Sequence, residues 1–207
     1  MARVTTEQAR KISNNTSSGY FSLKNDGEKA KVKFMYNGMD EIETYAVHEV
    51  KVNGFNRHVD CLKDSDGNGV CPFCEKGVKL TARTFFKLYD ADKDSVVIWD
   101  CGLKKAPMIE NILKMCEGKL VNYCFEITRH GKPNDTQTTY DISKVGKDDI
   151  TLEDLPQAPE LYGRYVMKKT AEEMEYYITN NEFPKEEKQQ QSSQNTEVKK
   201  RVNRMAF

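Results

Sequence analysis

The stretch "HVDCLKDSDGNGVCPFC", residues 58–74, puts one histidine and three of the chain's six cysteines into a short polar run. Cys71-Pro72-Phe73-Cys74 is a C-x2-C knuckle. That spacing lets two thiolates reach one tetrahedral ion from a single tight turn. Cys61 precedes the knuckle, and the intervening "LKDSDGNGV" is polar and glycine-containing, flexible enough to close as a loop. A closed site needs a fourth ligand. Two histidines compete for the place. His58 lies on the same extended stretch as Cys61 but on its opposite face. His48 lies further back, with the turn signal Asn53-Gly54 between, so a hairpin through that turn would return it beside Cys61.

The chemistry expected of this cluster is structural. The zinc deaminase signature needs H-x-E followed by P-C-x-x-C. Here His58-Val59-Asp60 offers a shorter acid, and the proline lies inside the knuckle. Four plausible ligands also leave no open position for water. The sequence contains no P-loop, no dinucleotide fingerprint and no G-x-S-x-G. We therefore expect a non-enzymatic protein carrying structural Zn2+. Cys101, Cys116 and Cys124 stand singly and read as small hydrophobes.

No apolar run approaches the roughly 20 residues a bilayer span requires, and "MARVTTEQARKISNNTSS" lacks the apolar core of a signal peptide. The expectation is a soluble cytoplasmic protein with no membrane partner, where thiols stay reduced and clustered cysteines bind metal.

Outward from the cluster the dominant hydrophobic period is two. "KVKFMY" (31–36), "TFFKLYD" (84–90), "SVVIWDC" (95–101), "LVNYCFEITR" (120–129) and "TTYDIS" (138–143) read as strands, separated by "KNDG", "DADKD" and "RHGKPND". "PMIENILKMCEG" interrupts them with a helical stripe of Ile109, Ile112, Leu113 and Cys116 and a stop at Gly118. About five strands with one helix between the third and fourth predict a mainly β fold: an OB-type Greek-key barrel with an inserted zinc-binding loop and a few short helices. A sandwich begins the same way.

Four regions follow. Residues 1–18 are a flexible polar arm with Arg3, Arg10 and Lys11. Residues 19–147 form the OB-type core, with the zinc subdomain at about 45–80. Residues 148–187 are an acidic segment ending in a helix, where Thr170 and Glu173 have capping-box spacing and Met174, Tyr177 and Ile178 make an apolar face expected to dock on the barrel. Residues 188–207 are a low-complexity basic tail.

Net charge is zero, from 32 basic and 32 acidic residues, but it is distributed unevenly. Residues 79–147 hold 12 basic against 9 acidic residues, and 148–187 hold 4 against 11. One basic face is thus compatible with overall neutrality. Single-strand binders need cations for phosphates and aromatic faces for bases. The predicted strands offer both: Lys31, Lys33 and Tyr36; Phe85, Lys87 and Tyr89; Trp99 near Lys104 and Lys105; Tyr123, Arg129 and Tyr140. Aromatics at period two also serve as core, so each of these has two readings.

The spacing His48-x12-Cys61-x9-Cys71-x2-Cys74 resembles the zinc subdomain of the T-even-type phage single-stranded-DNA-binding (helix-destabilising) proteins, which carry H-x12-C-x9-C-x2-C with a "CPxC" knuckle. The resemblance spans roughly residues 20–145 and is specific at the four ligands. It selects His48 as the fourth ligand. It implies an OB fold with an inserted zinc loop, single-stranded DNA as partner, self-association along the strand, and a role with replication or recombination proteins in a bacterial host. Two features depart from the family: an arm less basic than the family's, and a basic rather than acidic C-terminus. The main rival reading is a zinc-ribbon transcription or adaptor protein that binds protein or duplex DNA. A zinc enzyme acting on nucleotides is a second rival.

Overall fold

The computed structural model describes residues 19–133, 135 and 137–184; the arm with Arg3, Arg10 and Lys11, and the basic tail, lie outside them. Where apolar residues alternate, strands form: β1 (Lys29–Phe34), β2 (Glu43–Val52), β3 (Phe55–Asp60), β4 (Leu80–Asp90), β5 (Ser95–Gly102), β6 (Tyr123–His130), β7 (Thr139–Lys147) and a short β8 (Val166–Met167). The α-helices among the described residues are α1 (Pro72–Glu75), α2 (Ala106–Lys114) and α3 (Ala171–Asn180). The protein is mainly β, with one open mixed sheet and few short helices.

The sheet runs β7-β6-β1-β4-β2-β3-β8, antiparallel except where β8 lies parallel to β3. Strand β4 is its hub. Its first half pairs β2, its end pairs β1, and its opposite edge pairs β5. The sheet curls enough that Trp99 on β5 meets Tyr140 on β7, ring centres 5.2 Å apart, although those strands share no ladder. Residues 19–21 run along the free edge of β5 through hydrogen bonds with Ile98, and this brings Phe21 and Leu23 into the core.

That core lies on the concave face. Val32 and Phe34 of β1, Phe86 and Leu88 of β4, Phe125 and Ile127 of β6, and Ile109 and Leu113 of α2 are all fully buried there. The predicted stripe on α2 is thus its core face, and Gly118, at φ 81, supplies the left-handed turn that carries the chain on to β6.

The opposite face of the sheet is not left to water. Residues 148–166 cross it, and Leu161, Tyr165 and Val166 bury Val47, Phe85 and Ile98. After β8 the chain reaches α3. Its capping box forms as the spacing indicates: Thr170 Oγ1 accepts from Glu173 N at 3.3 Å and Glu173 Oε2 accepts from Thr170 N at 2.9 Å. The docking site of this helix differs from the expectation. Pairing of β8 with the outer edge of β3 delivers α3 to the β2–β3 hairpin, so Met174 is buried against Cys61, Cys71 and Phe73 and does not join the main core.

Candidate metal centre and nucleic-acid surface

Strands β2 and β3 are joined through Asn53 (φ 52) and Gly54 (φ 82), the left-handed pair of a two-residue hairpin turn. The hairpin register sets Val47 opposite Asp60, and Cys61 N donates to Ala46 O at 3.0 Å. His48 and Cys61 are thereby brought together. Cys71 and Cys74 bracket the start of α1, where Pro72 occupies the first turn without wasting a backbone donor.

The four ligand atoms lie within 4.8 Å of one another. His48 Nε2 is 3.4 Å from Cys71 Sγ and 3.5 Å from Cys74 Sγ, and Cys61 Sγ is 3.6 Å from Cys74 Sγ. A tetrahedral ion with metal–sulfur bonds of about 2.3 Å and metal–nitrogen bonds of about 2.0 Å requires ligand edges of roughly 3.5–3.8 Å. The donor set fits such an ion. His48 Nδ1–H donates to Val78 O at 3.0 Å, which orients the ring and turns the Nε2 lone pair toward the sulfurs. Burial holds the His48 imidazole below the ordinary histidine range, in the neutral form a ligand needs.

The thiols behave unequally. Burial opposes a thiolate at Cys71, but hydrogen bonds from the backbone of Leu62 and Cys74 outweigh it and lower its pKa. Burial and the facing sulfurs push Cys74 up to about 12. Three thiolates in contact repel one another, so a cation is what would hold them all deprotonated together. His58 does not join the cluster. It points to the opposite face and hydrogen-bonds Asp100.

The expected nucleic-acid residues divide by burial. Lys33 is 4% exposed and its Nζ is held by Asp148 at 2.8 Å and Val121 O at 3.2 Å. Tyr36 is enclosed, with its hydroxyl bonded to Phe85 O and Lys87 N. Phe85 is fully buried beneath Leu161 and Tyr165, and Trp99 packs with Phe21, Phe86 and Tyr140. Arg129 is buried on the carbonyls of Gly131 and Lys132 and on Thr138 Oγ1. None of these five presents a face to a base or phosphate in this conformation. Residues 148–166 cover Lys33 and Phe85, Tyr36 and Trp99 belong to the main core, and Arg129 is taken up by the connection from β6 to β7. Lys87 and Tyr89 are half-buried and engaged, by Glu43 and Asp94 respectively.

Lys31 and Lys104 remain exposed, and half-buried Lys105 and Tyr140 stay on the surface together, with Lys105 Nζ 4.5 Å from the Tyr140 ring centre. Two residues were not anticipated. Lys144 and Lys147 of β7 both lie over the Tyr123 ring, each at 5.0 Å. Strict alternation would put residues three apart on opposite faces. A register shift between Cys124 and Phe125 sets Lys144 opposite Phe125 and Lys147 opposite Tyr123, on one side. The glycine in "KVGK" was the available signal. Lys104, Lys105, Lys144 and Lys147 have no carboxylate partner among the described residues.

No described helix is long and apolar enough to cross a membrane. The sequence matches no protein-family model and no curated relative.

Proposed function

We propose that this protein is a non-enzymatic single-stranded-DNA-binding protein with an OB-type fold and a structural zinc ion, akin to the phage helix-destabilising proteins it resembles. The observation that carries the reading is the seam between the β5–α2 turn and β7. There Lys105, next to Lys104 in the chain, lies over Tyr140, and Lys144 and Lys147 lie over Tyr123, none of the four with a carboxylate partner among the described residues. Cations without carboxylate partners are available to phosphates, and each contact releases counterions on binding. The half-buried Tyr140 ring offers a stacking surface that accepts any base. The curled sheet hubbed on β4, with α2 between β5 and β6, supports the OB-type reading. The His48–Cys61–Cys71–Cys74 set is mostly sulfur, and its near-tetrahedral edges suit zinc.

In this reading the protein coats unpaired DNA in the cytoplasm of a bacterial host and hands it to replication or recombination enzymes. The test is fluorescence anisotropy of labelled oligo-dT, competed by duplex of equal length. The expected result is binding that duplex does not displace. Four phosphate contacts give a slope of log affinity against log salt of about −3 for a single strand. Equal affinity for duplex, or no binding, discards the reading in favour of a zinc-ribbon adaptor.

A further inference from the structure

Tyr123 opens β6 and is 5% exposed, with its ring fixed from two sides. Its hydroxyl donates to Glu117 O at 2.7 Å and accepts from Glu117 N at 3.1 Å, which ties the ring to the turn after α2. Phe125 packs against it with ring centres 6.5 Å apart. A tyrosine held in this way is a platform, and two cations rest on it. Lys144 Nζ and Lys147 Nζ each lie 5.0 Å from its ring centre, so the two ammonium groups are no more than twice that distance apart.

The bulge in β7 makes the pair. Lys147 stands opposite Tyr123, Gly146 opposite Cys124 and Lys144 opposite Phe125, which leaves Val145 as the extra residue, 51% exposed. Without it, alternation would place Lys144 and Lys147 on opposite faces. Asp148, next to Lys147 in the chain, is turned to Lys33 at 2.8 Å, and no carboxylate among the described residues pairs with Lys144 or Lys147. The two charges also meet at Cys116: burial raises the pKa of its thiol, and both lysines act to lower it. Like charges brought together repel, and the electron-rich face of the ring offsets part of that cost. An anion carrying more than one charge completes such an arrangement.

We propose that Lys144 and Lys147 form a site for two linked phosphates, with Tyr123 as its positioning residue. The inference rests on the nucleic-acid reading above for its natural ligand, the backbone of a strand; inorganic polyphosphate shares the chemistry. The physical reason is preorganisation. Ordering a free lysine on a phosphate costs rotamer entropy, and a ring that already holds both ammonium groups removes part of that cost. Two parts of Tyr123 divide the work: the hydroxyl anchors the ring to Glu117, and the ring holds the cations.

The test compares Tyr123→Phe with Tyr123→Leu in the full chain. Both lose the hydroxyl bonds to Glu117, so a difference between them reports the ring. NMR titration with inorganic tripolyphosphate follows the ε-methylene signals of Lys144 and Lys147. The expected result is one shared isotherm for the two lysines in the unaltered protein and in Tyr123→Phe, and a Kd about fivefold higher in Tyr123→Leu, within the ordering cost of one or two side chains. Oligo-dT affinity should follow the same order, with the salt slope equal in all three because every charge is retained. Unmoved lysines, separate isotherms, or equal Kd values in Tyr123→Phe and Tyr123→Leu overturn the proposal. So does a salt slope that shrinks in Tyr123→Leu, since the residue would then be holding β7 in place. Intact tripolyphosphate binding without oligo-dT binding would instead overturn the function proposed above and leave this site standing.

Discussion

Phe34 and Phe73 are both fully buried aromatic residues, yet their surroundings differ. Phe34 is packed edge-on against Phe86 and Phe125, at 5.7 and 5.2 Å, in a core drawn from four strands and a helix. Phe73 sits inside the metal knuckle, 5.4 Å from the His48 ring and 5.7 Å from Tyr177, a residue that arrives from α3. The Tyr177 hydroxyl also accepts from Lys51 N and donates to Lys51 O, at 3.1 and 2.8 Å, in place of a neighbouring strand. The sheet core is built mainly of apolar side chains, with the Tyr36 and Tyr123 hydroxyls bonded to backbone at its edge. The small core cannot: its centre is a set of thiols and an imidazole, and it is completed by a helix from far along the chain.

The largest expected effect breaks that comparison at the ligands. If the cluster holds the proposed zinc, chelation or Cys71→Ser removes an ion of a kind whose binding supplies about 10–16 kcal/mol of folding free energy in small structural sites. Residues 45–80 and α3 are expected to lose amide protection together, while Trp99, the single tryptophan, keeps its fluorescence because it reports the sheet core. A coincident Trp99 change would mean that the two cores unfold as one.

Next come substitutions within each core. Phe34→Ala should cost about 3–5 kcal/mol and shift the whole urea transition, since it leaves a cavity between two rings. Met174→Ala should cost about 2–5 kcal/mol, confined to α3 and the hairpin. Hydrogen exchange separates global from local loss.

A smaller effect contrasts two sets of lysines. The pair Lys144→Ala and Lys147→Ala removes two cations that face no carboxylate among the described residues. Oligo-dT affinity should fall roughly tenfold, and the salt slope should shrink by about 1.4. Lys33→Ala and Lys87→Ala remove cations already paired with Asp148 and Glu43, so binding should hold while stability falls. Loss of binding in the second set would show that the strand displaces residues 148–166.

The smallest expected effect is in the acid limb of stability. Burial disfavours charge on Asp100, but hydrogen bonds from His58 and Arg83 outweigh it and hold its pKa below the usual carboxylate range. Its folded value lies below its unfolded one. Its contribution is therefore in place above the unfolded carboxylate pKa of about 4 and is lost as pH falls through the folded value. Asp100→Asn should lower stability near neutrality and flatten the loss of stability below about pH 4, as urea midpoints across pH would record.

Much of this architecture is legible in short stretches. The Asn53-Gly54 turn, the C-x2-C knuckle, the α2 stripe and the Thr170 cap each depend on residues close in sequence, and each forms where local chemistry directs it. The interface residues were less legible. Lys33 and Lys104 look alike in a sequence, and burial together with Asp148 and the Val121 carbonyl makes the first unavailable. Lys144 and Lys147 share a side only because one register shift rephases β7.

Sequence alone indicated most of the strand segments and the spacing of the candidate metal ligands, because period-two burial and knuckle geometry act over a few residues. The tertiary structure decided where α3 docks, which aromatics are core and which lysines lack a carboxylate among the described residues, and it places His48, the histidine the resemblance selects, beside the thiols. Those outcomes depend on what a distant segment covers, and coverage follows from the path of the chain across the sheet, which no local pattern encodes.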